Sequence, residues 1–292
     1  MAENILITGG AGFIGSHLAE NLLREGKWQV TVVDDLNDFY DPGIKRANLK
    51  AIQTIGSFQF SEVDIREPEA LKTVFDETEF DCIVHLAPRA GVRPSLAQPK
   101  LYAETNINGT LNLLELARDY EVPQFVFGSS SSVYGINSKV PFSEEDRIHQ
   151  TISPYAATKA AGELLCHTYS YLFNIRCVCL RFFTVYGARQ RPDLAIHQFT
   201  TRIHAGQRID QFGDGTTQRD YTYIDDIIQG TIAALHYGGR MYDIFNLGES
   251  QTIQLKDLIL AIENTVGKKA KINRLAEQPG DMPRTYADIS KA

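Results

Sequence analysis

The sequence predicts an α/β protein with a doubly wound parallel sheet and a smaller C-terminal lobe. Three observations support this. Apolar, β-branched runs alternate with helical patterns, a glycine-rich turn follows the first run, and the pattern changes after Gly187. Alternation of this kind is typical of a parallel sheet wrapped by helices.

The elements follow in chain order. Six strands are expected at residues 4–8, 29–34, 59–64, 82–86, 124–128 and 176–182. Helices are expected at 14–25, 68–77, 101–120 and 155–173, where apolar residues recur every three or four positions. Residues 1–183 are predicted to form the first domain and residues 184–292 the smaller lobe, with 222–247 returning to the first domain and its sheet.

Composition limits the possible classes of protein. A chain of 292 residues with 43% hydrophobic and 22% charged residues is globular in composition. The net charge is -7 and the basic residues are scattered, which argues against nucleic acid as a partner. The longest apolar run among the first eight residues is only three residues long, at 5–7, and no apolar stretch reaches ~18 residues. We therefore expect a soluble, cytoplasmic protein without membrane contact.

A glycine motif directly follows the first predicted strand. Thr8-Gly9-Gly10-Ala11-Gly12-Phe13-Ile14-Gly15 satisfies both G-x-G-x-x-G and G-x-x-G-x-x-G. Glycines let the chain turn sharply and let a pyrophosphate approach bare backbone, while the following helix offers its N-terminal N–H groups to the anion. The motif predicts a Rossmann-type dinucleotide site.

An acidic residue completes this pattern. Asp34 ends the second predicted strand, 34 − 15 = 19 residues after Gly15. A carboxylate there accepts hydrogen bonds from the ribose hydroxyls and repels a 2′-phosphate, which favours NAD over NADP. Asp64 and Ile65 follow the third strand and are placed to reach the adenine, although Asp is also common in ordinary turns.

Tyr155 and Lys159 are the candidate chemical centre. They stand four residues apart on a predicted helix, so both side chains project from one face. A phenol of pKa about 10 needs a neighbouring cation to act as a base near neutral pH. The run Gly128-Ser-Ser-Ser-Ser132 adds hydroxyl groups at the carboxyl end of the fifth strand, where this fold places its site.

With these motifs, the chain resembles an extended short-chain dehydrogenase/reductase, and within that group the UDP-glucuronate 4-epimerases. The matching motifs span nearly the whole chain: 8–15, 34–35, 129–135, 155–159, 181–187, 189–192, 219–226 and 279–281.

The resemblance implies roles for individual residues. Tyr155 is expected to be the acid/base, Lys159 to hold the ribose and tune Tyr155, and Ser130 to supply a third hydroxyl, with Ser132 as the alternative. The residues expected to bind a tightly held, recycled NAD are Gly9, Gly12, Phe13, Ile14, Gly15, Asp34, Asn37, Asp64, Ile65, Leu86, Ala87, Asn106, Tyr155 and Lys159. No metal is expected, because none of the seven His residues has metal-ligand spacing.

The implied reaction is epimerisation at C4 of a UDP-sugar. Tyr155 removes the O4 proton while C4 gives hydride to NAD, the 4-keto sugar turns over, and hydride and proton return to the other face. The expected substrate residues are Arg93, Ser132, Thr184, Arg191, Gln211 and Arg219. Arg191, Thr184 and Ser132 would hold the glucuronate carboxylate, while Arg219 and Arg93 would bind the UDP diphosphate or lie near the sugar. The resemblance also implies a homodimer, with faces on 101–120 and 155–173.

Two alternative functions belong to the same group. Dehydratases resemble Thr-Asp-Glu where this chain has Ser130-Ser131-Ser132, and decarboxylases keep a Glu at the last position. Galactose epimerases carry Asn-Pro where this chain has Thr184-Val185. Both differences favour a UDP-glucuronate epimerase. The chain departs from the family at Pro88 and Arg89, where relatives usually have Ala and Gln, in a loop expected to touch both ligands.

Overall fold

The computed structural model describes residues 3–277 and 280–292; Pro279, in the last motif noted above, lies outside them. The strands are β1 (Glu3–Thr8), β2 (Trp28–Asp34), β3 (Gln59–Glu62), β4 (Cys82–His85), β5 (Gln124–Ser130), β6 (Arg176–Phe182), β7 (Thr184–Tyr186), β8 (Arg208–Phe212), β9 (Gln218–Arg219), β10 (Tyr221–Tyr223), β11 (Tyr242–Leu247), β12 (Ile253–Gln254) and β13 (Lys271–Leu275). The helices are α1 (Phe13–Glu25), α2 (Pro42–Gln53), α3 (Pro68–Glu77), α4 (Val92–Ala97), α5 (Pro99–Ala103), α6 (Gly109–Asp119), α7 (Pro154–Phe173), α8 (Ala195–His204), α9 (Ile224–Leu235) and α10 (Leu255–Val266).

Seven strands form the central sheet in the order β11-β6-β5-β4-β1-β2-β3, and every neighbouring pair is parallel. The predicted doubly wound fold is therefore confirmed. Each face of the sheet packs a separate apolar core. One contains α1 and α9, and the other contains α3, α6 and α7. The strand order reverses between β1 and β4, which opens a crevice at their carboxyl ends.

The C-terminal part of the chain adds smaller units beside this crevice. Helices α8 and α10 pack around a third apolar core with strand β8, which pairs with β13. Strand β10 pairs with β7, directly after the last central strand of the first domain. These units place β9 and its Arg219 at the rim of the crevice.

Several predicted elements differ from the structure. Residues 243–247 join the central sheet within β11, and most of 222–235 forms helix α9, which packs on one face of that sheet. The helix predicted at 101–120 is α5 and α6 joined by a π-helical segment, Glu104–Asn108. Helices α2, α4, α8 and α10 were not predicted. Over residues 3–277 and 280–292, no helix is both long and apolar enough to cross a bilayer.

Candidate active site

A cavity of 440 Å³ lies at the carboxyl edge of the sheet, between the first domain and the C-terminal units. This size is within the usual range for small-molecule and cofactor sites. Its wall contains 17 of the predicted site residues: Gly9, Gly12, Phe13, Ile14, Gly15, Asp34, Asn37, Ile65, Leu86, Ala87, Ser130, Ser132, Tyr155, Lys159, Thr184, Arg191 and Arg219.

The glycine motif fits a dinucleotide because its glycines are in contact with backbone. Gly9 has φ +73°, and a Cβ there would lie 2.6 Å from the carbonyl of Leu86. A Cβ on Gly15 would lie 2.3 Å from the carbonyl oxygen of Gly9. Only glycine fits these positions. The motif thus brings the N-terminus of α1 close to bare backbone at the cavity, as a bound pyrophosphate requires.

The Asp34 carboxylate is held on three sides before any ligand binds. Oδ1 accepts hydrogen bonds from the Leu36 N–H at 2.9 Å and from Lys45 Nζ at 3.0 Å. Oδ2 accepts the Ala11 N–H at 3.2 Å. Burial raises the pKa of Asp34, and the charge and hydrogen bond of Lys45 oppose that rise. Oδ2 keeps acceptor capacity for a ribose hydroxyl, so the pocket fits NAD.

Helix α7 aims Tyr155 and Lys159 into the cavity. Ser153 caps the helix by accepting the Ala156 N–H at 3.1 Å, and Pro154 occupies the first turn. The helix packs closely on β5, because a Cβ on Gly162 would lie 2.3 Å from Phe127.

The two chemical groups share one buried environment. Lys159 Nζ donates to the Gly128 carbonyl at 2.5 Å and lies 5.9 Å from the Tyr155 ring centroid. Burial lowers the pKa of Lys159 to about 7, and the carboxylate of Glu163 opposes this. Burial raises the pKa of Tyr155, while a hydrogen bond to Ser130 and the charge of Arg191 lower it.

The serines at the end of β5 form a short chain to the phenol. Ser132 donates to Ser130 from both its hydroxyl, at 3.0 Å, and its N–H, at 3.2 Å. Hydrogen bonding with Ser130 is also a cause that lowers the pKa of Tyr155. This arrangement favours Ser130 over Ser132 as the hydroxyl that assists Tyr155.

Two of the predicted substrate-binding arginines, Arg191 and Arg219, lie in the cavity wall. Arg191 binds Asp193 through Nε at 3.0 Å and Nη2 at 2.8 Å, and lies over the Phe39 ring. Arg219 makes no ion pair within the described residues and donates to the Gln218 carbonyl. Burial lowers the pKa of Arg219, as expected for a cation without a close counter-charge.

Four predicted site residues lie outside the cavity wall. Arg93 pairs with Asp281 at 2.7 Å and stacks on Phe212, and Gln211 donates to the Gly213 carbonyl. Asp64 binds Arg66. Asn106 clamps the backbone of Arg89, accepting its N–H at 2.7 Å and donating to its carbonyl at 3.0 Å.

Lys45, Phe39, Asp35 and Arg89 also line the cavity, and no motif in the sequence indicated a ligand contact for the first three. A signal for Lys45 was present, because Asp41 followed by Pro42 is a typical start of a helix. A helix that begins at Pro42, soon after the second strand, would bring Lys45 near Asp34 at the end of that strand. Phe39 and Arg89 lie in irregular loops, where periodicity gives no signal.

Comparisons with known proteins agree with this geometry. The model of the NAD dependent epimerase/dehydratase family matches residues 5–248. UDP-glucuronate 4-epimerase of Thermodesulfobacterium geofontis is 46% identical over 98% of this chain and 88% of that protein. A crystal structure of UDP-glucuronic acid 4-epimerase from Bacillus cereus, in complex with UDP-glucuronic acid and NAD, superposes with TM-score 0.92 at 39% identity. It covers 99% of this chain and 91% of that one.

UDP-glucose 4-epimerase from Thermotoga maritima, solved with UDP-glucose, is more distant. It has TM-score 0.90 and 32% identity over 99% of this chain and 90% of that one.

We predict that Lys45→Met weakens NAD binding by about tenfold at mildly acidic pH. Without the ammonium the pKa of Asp34 rises further, so the carboxylate takes up a proton at a higher pH and loses its attraction for ribose hydroxyls. Calorimetric titration with NAD at several pH values measures this. Lys50→Met, an exposed lysine on the same helix, is the control. Identical pH profiles for Lys45→Met and wild type would contradict the prediction.

Proposed function

Because this chain belongs to the NAD-dependent epimerase/dehydratase family, we propose that it epimerises UDP-glucuronate at C4 with a tightly bound NAD. The observation that carries the proposal is the convergence of Tyr155, Lys159 and Ser130 on one cavity with the glycine motif and Asp34. UDP-galacturonate is the expected product.

The protein's own groups handle the proton. Bound NAD supplies reversible oxidation at C4 of the sugar. Tyr155 takes the O4 proton and later returns it, with Ser130 stabilising the phenolate by a hydrogen bond. The charges of Lys159 and Arg191 act in the same direction, since both are cations in a buried site.

The carboxylates in the cavity wall favour epimerisation over elimination. Within the described residues the wall carries three, and each is already engaged: Asp34 with Lys45, Asp35 with Asn37 and Asp281 with Arg93. Serines occupy positions 131 and 132 beside Tyr155. A dehydratase needs a free acid and base near the sugar, and this wall offers none.

The remaining site roles are part of the proposal. Arg191, Thr184 and Ser132 are assigned to the glucuronate carboxylate, and their presence in one cavity wall supports this. Arg219 is assigned to the UDP diphosphate. Arg93 and Gln211 shape the nearby rim, through the Asp281 ion pair and the Gly213 turn. Residues 184–292, apart from 222–247, are assigned to the substrate lobe.

We predict that purified protein converts UDP-glucuronate to UDP-galacturonate without added NAD. Tyr155→Phe should lower kcat by at least about 100-fold, because it removes the hydroxyl that is proposed to exchange the O4 proton. Nucleotide separation by chromatography measures the products, and NAD released on denaturation shows that the variant keeps its cofactor. Release of CO₂, a deoxy-keto sugar, or faster turnover of UDP-glucose would overturn the proposal.

A pair of serine variants separates the two candidate hydroxyls. Ser130→Ala removes the hydrogen bond that lowers the pKa of Tyr155, so we expect roughly tenfold lower kcat. The rising limb of the kcat profile, which reports the phenol losing its proton, should move to higher pH. Ser132→Ala leaves that bond intact and should mainly raise KM, through the sugar carboxylate. A shifted limb in Ser132→Ala alone would reverse the assignment.

We further propose that the protein is a homodimer associating through α7. Leu164, Tyr171 and Leu172 are 67%, 81% and 58% exposed and share one face of that helix, away from the cavity. Large exposed apolar side chains in a stripe mark an association surface.

We predict that Leu164→Glu combined with Tyr171→Glu gives a monomer of 32.7 kDa, where the wild type has twice that mass. Light scattering coupled to size exclusion measures this. Leu260→Glu, on the exposed face of α10, is the control and should leave the mass unchanged. A monomeric wild type would refute the dimer.

A cytoplasmic location is also proposed. All four cysteines, Cys82, Cys166, Cys177 and Cys179, are free and buried, as is usual in a reducing compartment. Cell fractionation tests it.

A further inference from the structure

Arg89 stands out among the cavity residues because its guanidinium lies near an aromatic ring but has no carboxylate partner among the described residues. It lines the cavity, yet within residues 3–277 and 280–292 it forms no ion pair and its side chain donates no hydrogen bond. Asp34, Asp35 and Lys45 in the same wall are paired with one another, and Lys159 donates to the Gly128 carbonyl. A cation left unpaired at a ligand cavity is available to an anion.

The backbone around Arg89 is fixed in place. Pro88 precedes it and is buried. The Asn106 amide holds both the N–H and the carbonyl of Arg89, and Asn106 is itself anchored by a hydrogen bond to Thr158 on α7. The Tyr102 hydroxyl donates to the next carbonyl, that of Ala90. A loop held this firmly presents its side chain with little loss of entropy on binding.

The loop that carries Arg89 lies in the part of the cavity that is lined by the glycine motif. The residues before Arg89 are in contact with the glycine motif, since a Cβ on Gly9 would lie 2.6 Å from Leu86 and 2.7 Å from Ala87. From there the Arg89 side chain reaches the Phe39 ring, with its Cζ 5.9 Å from the centroid. Phe39 belongs to the loop after β2, beyond Asp34.

The side chain therefore spans the groove between the glycine motif and the loop after β2. The N-terminus of α1 opens into this same groove, at Phe13 and Ile14. The N–H groups at a helix N-terminus favour an anionic phosphate. Arg89 lines the same cavity from the loop after β4.

We propose that Arg89, from the loop after β4, binds the pyrophosphate of the NAD cofactor and so strengthens retention of the cofactor. This rests on the NAD binding in the proposed function, but not on the identity of the sugar. The chemistry is a charge-assisted hydrogen bond from a guanidinium to a phosphate oxygen. A 2′-phosphate of NADP offers the same chemistry, and Asp34 disfavours it.

The experiment compares wild type, Arg89→Gln, Arg89→Lys and Arg46→Gln. Arg46 is an exposed arginine on α2 outside the cavity wall, so its variant controls for the loss of one positive charge. Each protein is freed of nucleotide with charcoal and titrated calorimetrically with NAD, ADP, adenosine and NADP. Thermal unfolding confirms that the variants fold, as expected because the Arg89 side chain makes no hydrogen bond to residues 3–277 or 280–292.

For Arg89→Gln we expect Kd values about tenfold higher for NAD and for ADP, which both contain a pyrophosphate, and an unchanged Kd for adenosine. Arg89→Lys should lose less, and Arg46→Gln nothing. Added salt should weaken NAD binding more in wild type than in Arg89→Gln.

Equal NAD affinity in wild type and Arg89→Gln would overturn the inference and leave the proposed function standing. A loss confined to NADP would assign Arg89 to a 2′-phosphate instead. An equal loss for adenosine would show a general distortion of the site. A wild type that binds no NAD would refute the proposed function as well.

Discussion

The buried ion pair between Glu163 on α7 and Arg181 on β6 holds the chemical centre together. Arg181 donates through Nε at 2.9 Å and Nη2 at 2.8 Å to the two carboxylate oxygens, and both side chains are 2% exposed. Ser129 donates to the same carboxylate at 2.6 Å. One pair thereby fixes α7, which carries Tyr155 and Lys159 in its first turns, against the end of β5. Removing one partner of such a pair leaves an uncompensated buried charge, so this contact tolerates little change.

The charge of the cavity wall at the carboxyl edge of the sheet differs in sign from the net charge of the protein. The protein carries a net charge of -7, yet its cavity has Arg89, Arg191 and Arg219 in the wall. Of these only Arg191 has a carboxylate partner within the described residues, Asp193. Anionic ligands are attracted by this local arrangement and not by the overall balance. A negative surface and a site for two phosphate-bearing ligands are therefore compatible.

How far the sequence predicted this site depended on the distance between contacting residues. The Gly9–Gly15 turn and the Tyr155–Lys159 pair are local patterns, and their spacing alone determines which backbone and which helix face they present. Contacts across the chain left no such signal. The ion pair of Arg93 with Asp281 joins residues 188 positions apart, and no local pattern in the sequence indicates it. The π-helical segment at 104–108 likewise interrupts an apolar pattern that reads as one uninterrupted helix.

Burial affects the two chemical groups in opposite directions and so makes them depend on each other. It raises the pKa of Tyr155 and lowers the pKa of Lys159 to about 7, which means that each group resists its charged form when alone. A phenolate beside an ammonium removes both penalties together, because in a medium of low dielectric each charge is stabilised most by the other. Glu163 favours the protonated Lys159 and Ser130 favours the phenolate, so the surrounding residues act on the pair from both sides. The reactive state is consequently a property of the enclosed site as a whole, and opening the cavity to water would weaken the attraction on which it depends.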